Sequence, residues 1–378
     1  MKHANIPVFV PHLGCPNDCV FCNQRKITGH DSFSIEDAKR SIEETVASLG
    51  EASRDAEIAF FGGSFTGIDR TLMTDLLDMA KDFCDRGSAS GIRMSTRPDY
   101  IDDEILSILS NYPVKTIELG IQSLSDKVLI ASKRGHTSSD SIRAMKAVKS
   151  AGFELIGQMM VGLPFSELDD EIKTLIGICD AGADGLRIYP TAVFACTELH
   201  EMMMRSVYSP LSVEEAVART SELLCIAHDR NIPVIRVGLC ETDSLHGENG
   251  IVAGAFHPAL GEMCMSEFFL KLFYRELDKS GSLDGKKAIL RVAKNMVSKA
   301  VGQKKVNINK LKDKYSLSEI KIIEDSSLSG YEFHLTSAAD FISENRSSSK
   351  TLLKQENFKC DFSRLSFTDS NPSLNEQK

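Results

Sequence analysis

What most constrains the fold of this chain is an alternation that begins at its first residues and persists to about residue 240. Short apolar runs of strand length are separated by amphipathic stretches long enough to be helices. The runs are Ile6 to Val10, Ile58 to Phe61, Ile92 to Ser95, Thr116 to Leu119, Leu155 to Val161 and Gly185 to Tyr189. Their near-continuous apolar and β-branched character suits parallel strands covered on both faces. Helix start signals fall between them: Ser34-Ile-Glu-Asp and Ser212-Val-Glu-Glu each place a capping hydroxyl ahead of acids in the first turn. Six such β–α repeats, joined by right-handed crossovers, predict an α/β fold, a partial (β/α)6 barrel of the TIM type. Reactive residues then belong at the C-terminal ends of the strands.

The first run leads into Cys15-Pro-Asn-Asp-Cys19-Val-Phe-Cys22. Three thiolates spaced C-x3-C-x2-C can reach three corners of one iron–sulfur cube from a single loop. The next cysteine is Cys84, so one iron of the cube keeps an open position, the mark of a catalytic rather than a closed structural metal site. A zinc knuckle would want a second Cys or His pair at short spacing, and a buried core strand would not interleave its thiols with Pro, Asn and Asp.

A length of 378 residues and an apolar fraction of 42% leave room for such a barrel and an appendage. The ten cysteines are diluted through a long chain whose start, Met-Lys-His-Ala-Asn, lacks the apolar stretch of a signal peptide. With no apolar run long enough to span a bilayer, this predicts a cytoplasmic protein with no membrane partner. The net charge of −9 argues against a wholesale nucleic-acid binder but says nothing of a local patch.

The expected strand ends carry unusual residues. Phe61-Gly62-Gly63-Ser64-Phe65 pairs two glycines, which let a backbone approach a ligand closely and offer it N–H groups. Strand three ends in Ser95-Thr-Arg-Pro-Asp99-Tyr100, and strand four holds Glu118-Leu-Gly-Ile-Gln122-Ser123. A carboxylate inside a strand buried on both faces is costly unless paired or functional, so Glu118 is either a ligand-facing group or the inward partner of Arg97 or another base. Lys133-Arg134-Gly135-His136-Thr137 and Gly157-Gln-Met-Met-Val-Gly162-Leu-Pro164 follow.

The three-cysteine loop resembles the signature of the radical S-adenosylmethionine (SAM) enzymes, whose open iron chelates the amino and carboxylate groups of SAM. The series Thr96-Arg-Pro-Asp-Tyr100, Glu118-Leu-Gly-Ile-Gln-Ser123, Arg134-Gly-His-Thr137, Gly152-Phe, Met159-Met-Val-Gly-Leu-Pro164 and Asp184-Gly-Leu-Arg-Ile-Tyr-Pro-Thr191 resembles the radical SAM half of the Elongator catalytic subunit, which modifies the wobble uridine of transfer RNA. The resemblance covers roughly residues 6 to 220. It implies a [4Fe–4S] cluster on Cys15, Cys19 and Cys22, and reductive cleavage of SAM to methionine and a 5′-deoxyadenosyl radical. It further implies that Gly62, Gly63 and Ser64 face the methionyl part of SAM. Thr96, Arg97, Glu118 and Gln122 would line its ribose or the substrate face, with Glu118 and Gln122 the catalytic candidates. A flavodoxin or ferredoxin would supply the electron.

The chain also departs from that family. Its first cysteine gap is shorter, a feature shared with the oxygen-independent coproporphyrinogen oxidase branch. No glycine-rich pyrophosphate loop of an acetyltransferase follows residue 240. Three readings result: a radical SAM enzyme acting on a transfer RNA base, one acting on a small molecule, or a non-catalytic cluster- or SAM-binding protein.

Past the barrel, Ile232-Pro-Val-Ile-Arg-Val-Gly238 reads as one more strand, and the polar loop Leu239 to Gly250 with Ala253-Gly-Ala-Phe-His-Pro258 as a lid or a connector. Between Lys286 and Lys321 eleven Lys and Arg stand against two acids, a basic face that can follow a phosphate backbone or simply be solvated. The expected organisation is a radical SAM barrel over 1–240, a small C-terminal α/β appendage over 241–342 and a disordered tail over 343–378, rich in Ser, Asn, Lys and Glu.

Overall fold

The computed structural model describes residues 5–10, 15, 19–22, 33–239, 245, 247, 250–279 and 287–337. Strand β1 (Asn5–Phe9) is followed by helix α1 (Ile35–Leu49), β2 (Glu57–Phe61), α2 (Arg70–Asp85), β3 (Gly91–Thr96), α3 (Asp103–Leu109), β4 (Val114–Gln122), α4 (Asp126–Ala131) and α5 (Ser138–Ser150). Then come β5 (Glu154–Val161), α6 (Leu168–Asp180), β6 (Gly185–Pro190), β7 (Ala192–Phe194), α7 (Glu198–Met204), α8 (Val213–Asp229) and β8 (Val234–Val237).

Strands β1 to β6 and β8 lie side by side in chain order, all parallel, and curl into a half-barrel. The sheet has seven strands where six repeats were expected. The seventh, β8, comes from the run read as lying beyond the barrel; Leu186 pairs with Val234 and Ile188 with Val237 across the edge of β6. Both anticipated start signals cap helices. The Ser34 hydroxyl accepts from Asp37 N at 3.1 Å to open α1, and Ser212 and Glu215 form a reciprocal capping box at the start of α8.

The strands are not apolar on both faces. Ile58, Phe60, Ile92, Met94, Ile117 and Leu119 are fully buried and pack with the apolar sides of the helices. The alternate positions, Glu57, Arg93, Thr116, Glu118 and Arg187, bond one another on the opposite, concave face. Short runs concealed this because at most a single charge within each run leaves the average hydropathy of the strand high.

The C-terminal elements are β9 (Ile251–Gly254), α9 (Leu260–Lys279), β10 (Lys287–Val292), α10 (Val297–Val301), α11 (Val306–Tyr315), β11 (Glu319–Glu324) and β12 (Phe333–Ser337). Strand β9 turns back to pair antiparallel with β7, so part of the proposed lid is sheet at the half-barrel's rim. Helix α9 lays Phe268, Phe269 and Phe273 into the same apolar cluster as α8. Tyr331, on the connection between β11 and β12 of a three-stranded sheet ordered β11-β10-β12, lies 5.0 Å ring to ring from Phe268. Much of the Leu239–Gly250 loop and the whole 343–378 tail lie outside the described residues.

Candidate active site

The exits of β1 and β2 are fastened together. Val10 N donates to Phe61 O at 2.7 Å, and Gly62 follows at φ +118°, where a Cβ would sit 2.4 Å from Val10 O. Only glycine fits that crossing without strain. The turn delivers buried Ser64, whose hydroxyl lies 3.6 Å from the Cys15 sulfur. Phe65 stacks on Phe60 at 4.4 Å, and Thr66 Oγ1 meets Thr96 Oγ1 at 2.6 Å while donating to Tyr100 O. Thr96 therefore holds the Gly62–Ser64 turn against the end of β3.

Cys19 to Cys22 form a tight turn, Cys22 N donating to Cys19 O at 2.9 Å. Val20 anchors it: its N–H donates to Ser132 O at 3.2 Å, its carbonyl accepts from Leu199 N at 2.8 Å, and its side chain packs with Val193, Leu199 and Tyr208. The Cys19 sulfur is buried against two guanidiniums, with Arg134 Nη1 at 3.3 Å and Arg97 Nη1 at 4.0 Å. Arg97 grips Asp99 through Nε at 2.9 Å and Nη2 at 2.8 Å, and the same Nη2 donates to the carbonyl of Arg134. Burial alone would lower the pKa of Arg97, yet Asp99 raises it overall, so it stays charged. Behind this pair His136 is enclosed, its Nδ1 3.8 Å from Asp99. Burial, reinforced by Arg134, pushes it down to about 4, and the ring is neutral at pH 7.

Arg134 also donates through Nη2 to Gly120 O at 2.6 Å, beside a register slip between β4 and β5. Gln122 closes the slip in the left-handed region, φ +65°, buried, with an Oε1 that meets no donor among the described residues. A side chain held in that conformation at a strand exit is stored strain of the kind that gathers at functional sites.

Glu118 lies further down the concave face. Its oxygens stand 3.2 Å from Arg93 Nε and 2.9 Å from Arg187 Nε, and it is 2% exposed. The partners are Arg93 and Arg187 rather than Arg97. Burial works against the charge on Arg187, but Glu118 and Tyr189 raise its pKa overall.

The structure thus brings Cys15, Cys19, Ser64 and Arg97 to one mouth, with Gly62 and Thr96 shaping it and Gln122 beside it, and sets Glu118 apart. Sequence reading missed Arg134, His136 and Asp99 as parts of the site. The signal available was the crowding of charged residues just past two strand ends. It also missed Arg93 and Arg187, each the same oddity as Glu118 with the opposite sign. Among the described residues no three His, Cys, Asp or Glu side chains converge as a metal site, and Cys15 and Cys19 face different neighbours. The donor set still suits an iron–sulfur cluster: thiols are its ligands, and buried guanidiniums beside a sulfur are the charge-assisted donors that an anionic thiolate-bound group accepts.

Residues 9–176 match the family model of the radical SAM superfamily, and residues 183–268 that of the radical SAM C-terminal domain. The chain is 27% identical over 194 residues to the tRNA uridine(34) acetyltransferase of Methanocaldococcus jannaschii, an overlap covering 46% of this chain and 36% of that protein. It is 26% identical over 286 residues to Elongator complex protein 3 of Schizosaccharomyces pombe, covering 62% and 52%. The chain thus spans about half or less of the length of these relatives. Among solved structures, that of the archaeal Methanocaldococcus infernus Elp3 with an N-terminal deletion superposes with a TM-score of 0.55 at 21% identity, over 76% of this chain and 66% of that one, a likeness of fold. Two consecutive family matches cover most of the half-barrel and run on into α9, and the chain belongs to the radical SAM superfamily of enzymes, where it resembles the radical SAM part of the Elongator catalytic subunit.

Proposed function

We propose that this enzyme holds a [4Fe–4S] cluster on Cys15, Cys19 and Cys22 and cleaves SAM to modify a transfer RNA base. The observation that carries the reading is the meeting of the cysteine loop with the Gly62–Ser64 turn, Cys15 Sγ lying 3.6 Å from Ser64 Oγ. This contact supports the reading, in which the cysteine loop binds iron and the neighbouring turn receives a carboxylate or ammonium. Such a cluster, when bound, supplies one electron to SAM. The chain's own residues do the rest. Gly62 and Gly63 bring backbone close to the methionyl end, Ser64 offers a hydroxyl, and Thr96 keeps the turn in place. Arg97, charged and tied to Asp99, faces the anionic side. Gln122, its Oε1 without a donor among the described residues, is the group for the substrate face, and Glu118 holds Arg93 and Arg187 across the floor.

Transfer RNA as substrate is supported by the relatives, which are named for transfer RNA modification or Elongator. A second reading, a small-molecule substrate, is favoured by one observation. Within the basic C-terminal window Lys287, Lys310, Lys314 and Lys321 are ion-paired with Glu319, Glu267, Asp278 and Glu319 in turn, which leaves less free charge for phosphates. The test is to reduce the anaerobically reconstituted protein with labelled SAM, alone, with total transfer RNA and with a small-metabolite extract, and to count 5′-deoxyadenosine. Acceleration by transfer RNA is expected. Acceleration by the metabolites alone would replace the RNA reading, and no cleavage in any arm would remove the SAM reading.

A further inference from the structure

We propose that Arg134 is a positioning residue for Cys19, and that its guanidinium sets the reduction potential of a cluster bound there. The inference rests on Cys19 being a cluster ligand. The two residues are 115 positions apart and meet because Val20 is bonded to Ser132, two residues ahead of Arg134. Arg134 is not a surface cation swinging past a sulfur. It is 6% exposed, and its fork is used at both ends: Nη1 reaches Cys19 Sγ at 3.3 Å and Nη2 reaches Gly120 O at 2.6 Å. Its own carbonyl accepts from Arg97. Its backbone N–H donates to Leu129 O at 3.0 Å, closing the end of α4. Gly120 completes the seat, since a Cβ there would lie 3.5 Å from Nη2 and 3.0 Å from Gln122 Nε2.

A guanidinium fixed in this way holds a thiolate ligand in one orientation and donates a hydrogen bond to its sulfur. Reduction adds negative charge to a thiolate-ligated cluster, and a cation donating to the sulfur stabilises the reduced form more than the oxidised one. Lysine would keep the charge without the fork, so it would preserve part of the effect and lose the tie to Gly120.

The experiment uses the full chain, anaerobically reconstituted with iron and sulfide, as parent, Arg134→Gln, Arg134→Lys and Cys19→Ala. Iron and sulfide are counted, and the cluster signal is titrated by electron paramagnetic resonance against dithionite-poised mediators, without SAM. Arg134→Gln should keep its iron and show a tenfold smaller reduced-to-oxidised ratio at the parent's midpoint, a fall of about 59 mV. Arg134→Lys should fall in the same direction by less. An unchanged midpoint in iron-replete Arg134→Gln overturns the inference. Should the Gln variant take up no iron, Arg134→Lys decides, and a midpoint at or above the parent's overturns it. Full iron in Cys19→Ala would instead remove the underlying ligand assignment, and this inference with it.

Discussion

The Nε of Arg187 on β6 stands 2.9 Å from a carboxylate oxygen of Glu118 on β4, and the other oxygen of that carboxylate is 3.2 Å from Arg93 on β3. One buried acid thus ties three strands of the half-barrel from the concave side. Phe61 adds to the grip, its ring 5.7 Å from the Arg187 guanidinium. Removing one member of such a buried set leaves uncompensated charge, which typically costs about 3–5 kcal/mol. Glu118→Gln should therefore lower the free energy of unfolding by that order. The double variant Glu118→Gln with Arg187→Gln should be less destabilised than the sum of the singles, because the partners share one interaction. Additive losses would show that the pair is not coupled.

The three cysteines make the opposite prediction. Cys15 and Cys22 are half-buried, and Cys19 contacts guanidiniums rather than the apolar core. Changing any one to Ala should leave the fold and its melting temperature nearly unchanged while abolishing iron uptake on reconstitution. A single variant that retained the parent's iron would exclude that residue as a ligand.

At the β2 exit the conformational demand falls on Gly62, with φ +118° and Val10 O in the path of any Cβ. Gly62→Ala must move one of two strand ends that are hydrogen-bonded to each other, a strain of about 1–3 kcal/mol. Weaker SAM binding should accompany the lower melting temperature, since the same turn carries Ser64. Gly63→Ala, outside the left-handed region, should be milder. Equal effects of the two would mean that the positive φ is not what the site depends on.

His136 gives the acid side of the stability curve. Its folded pKa is depressed from 6.5 to about 4, so between those values the unfolded chain binds a proton that the folded chain refuses. Stability on this account is full above about pH 6.5 and is lost as the pH falls toward 4, by about 3 kcal/mol. His136→Gln should flatten the dependence of unfolding free energy on pH within that window. A slope unchanged from the parent's would show that another group titrates.

The β–α alternation was enough to give the half-barrel, because strand-length runs and capped helices are local signals: Ser34 and Ser212 cap as their neighbours suggest. The cysteine spacing and the Gly62–Gly63 pair stand out in the sequence for the same reason, as local patterns. What stayed hidden depends on register. Arg93, Glu118 and Arg187 are each one charge in an apolar run, and only the pairing of β3 with β4 and the curl of the sheet put them within reach of one another. Arg134 is the extreme case. Nothing near it in sequence announces Cys19, and their contact exists only once the turn at Val20 docks on Ser132.

The basic C-terminal window supplies the last prediction, now narrowed by the pairing of its lysines. Lys310 and Lys314 face Glu267 and Asp278 of α9, and a lysine already neutralised releases little when it meets a phosphate. Lys304, Lys305 and Lys312 are in no ion pair with a described residue; Lys304 and Lys305 are exposed in the turn ahead of α11, and Lys312 lies within it. If transfer RNA binds here, counterion release makes affinity fall linearly on a logarithmic salt scale, by about one unit of slope per phosphate contact. Replacing Lys304, Lys305 and Lys312 with Gln should flatten that slope by about three units at most. Replacing Lys310 and Lys314 should change it by less. Both sets should leave RNA-independent SAM cleavage intact, because the cysteine loop is on the half-barrel. The measurement is transfer RNA affinity between low and moderate salt for the parent and both variants. Coincident slopes for all three would take RNA binding away from this surface, and a parent that binds no RNA at low salt would leave the small-molecule reading standing.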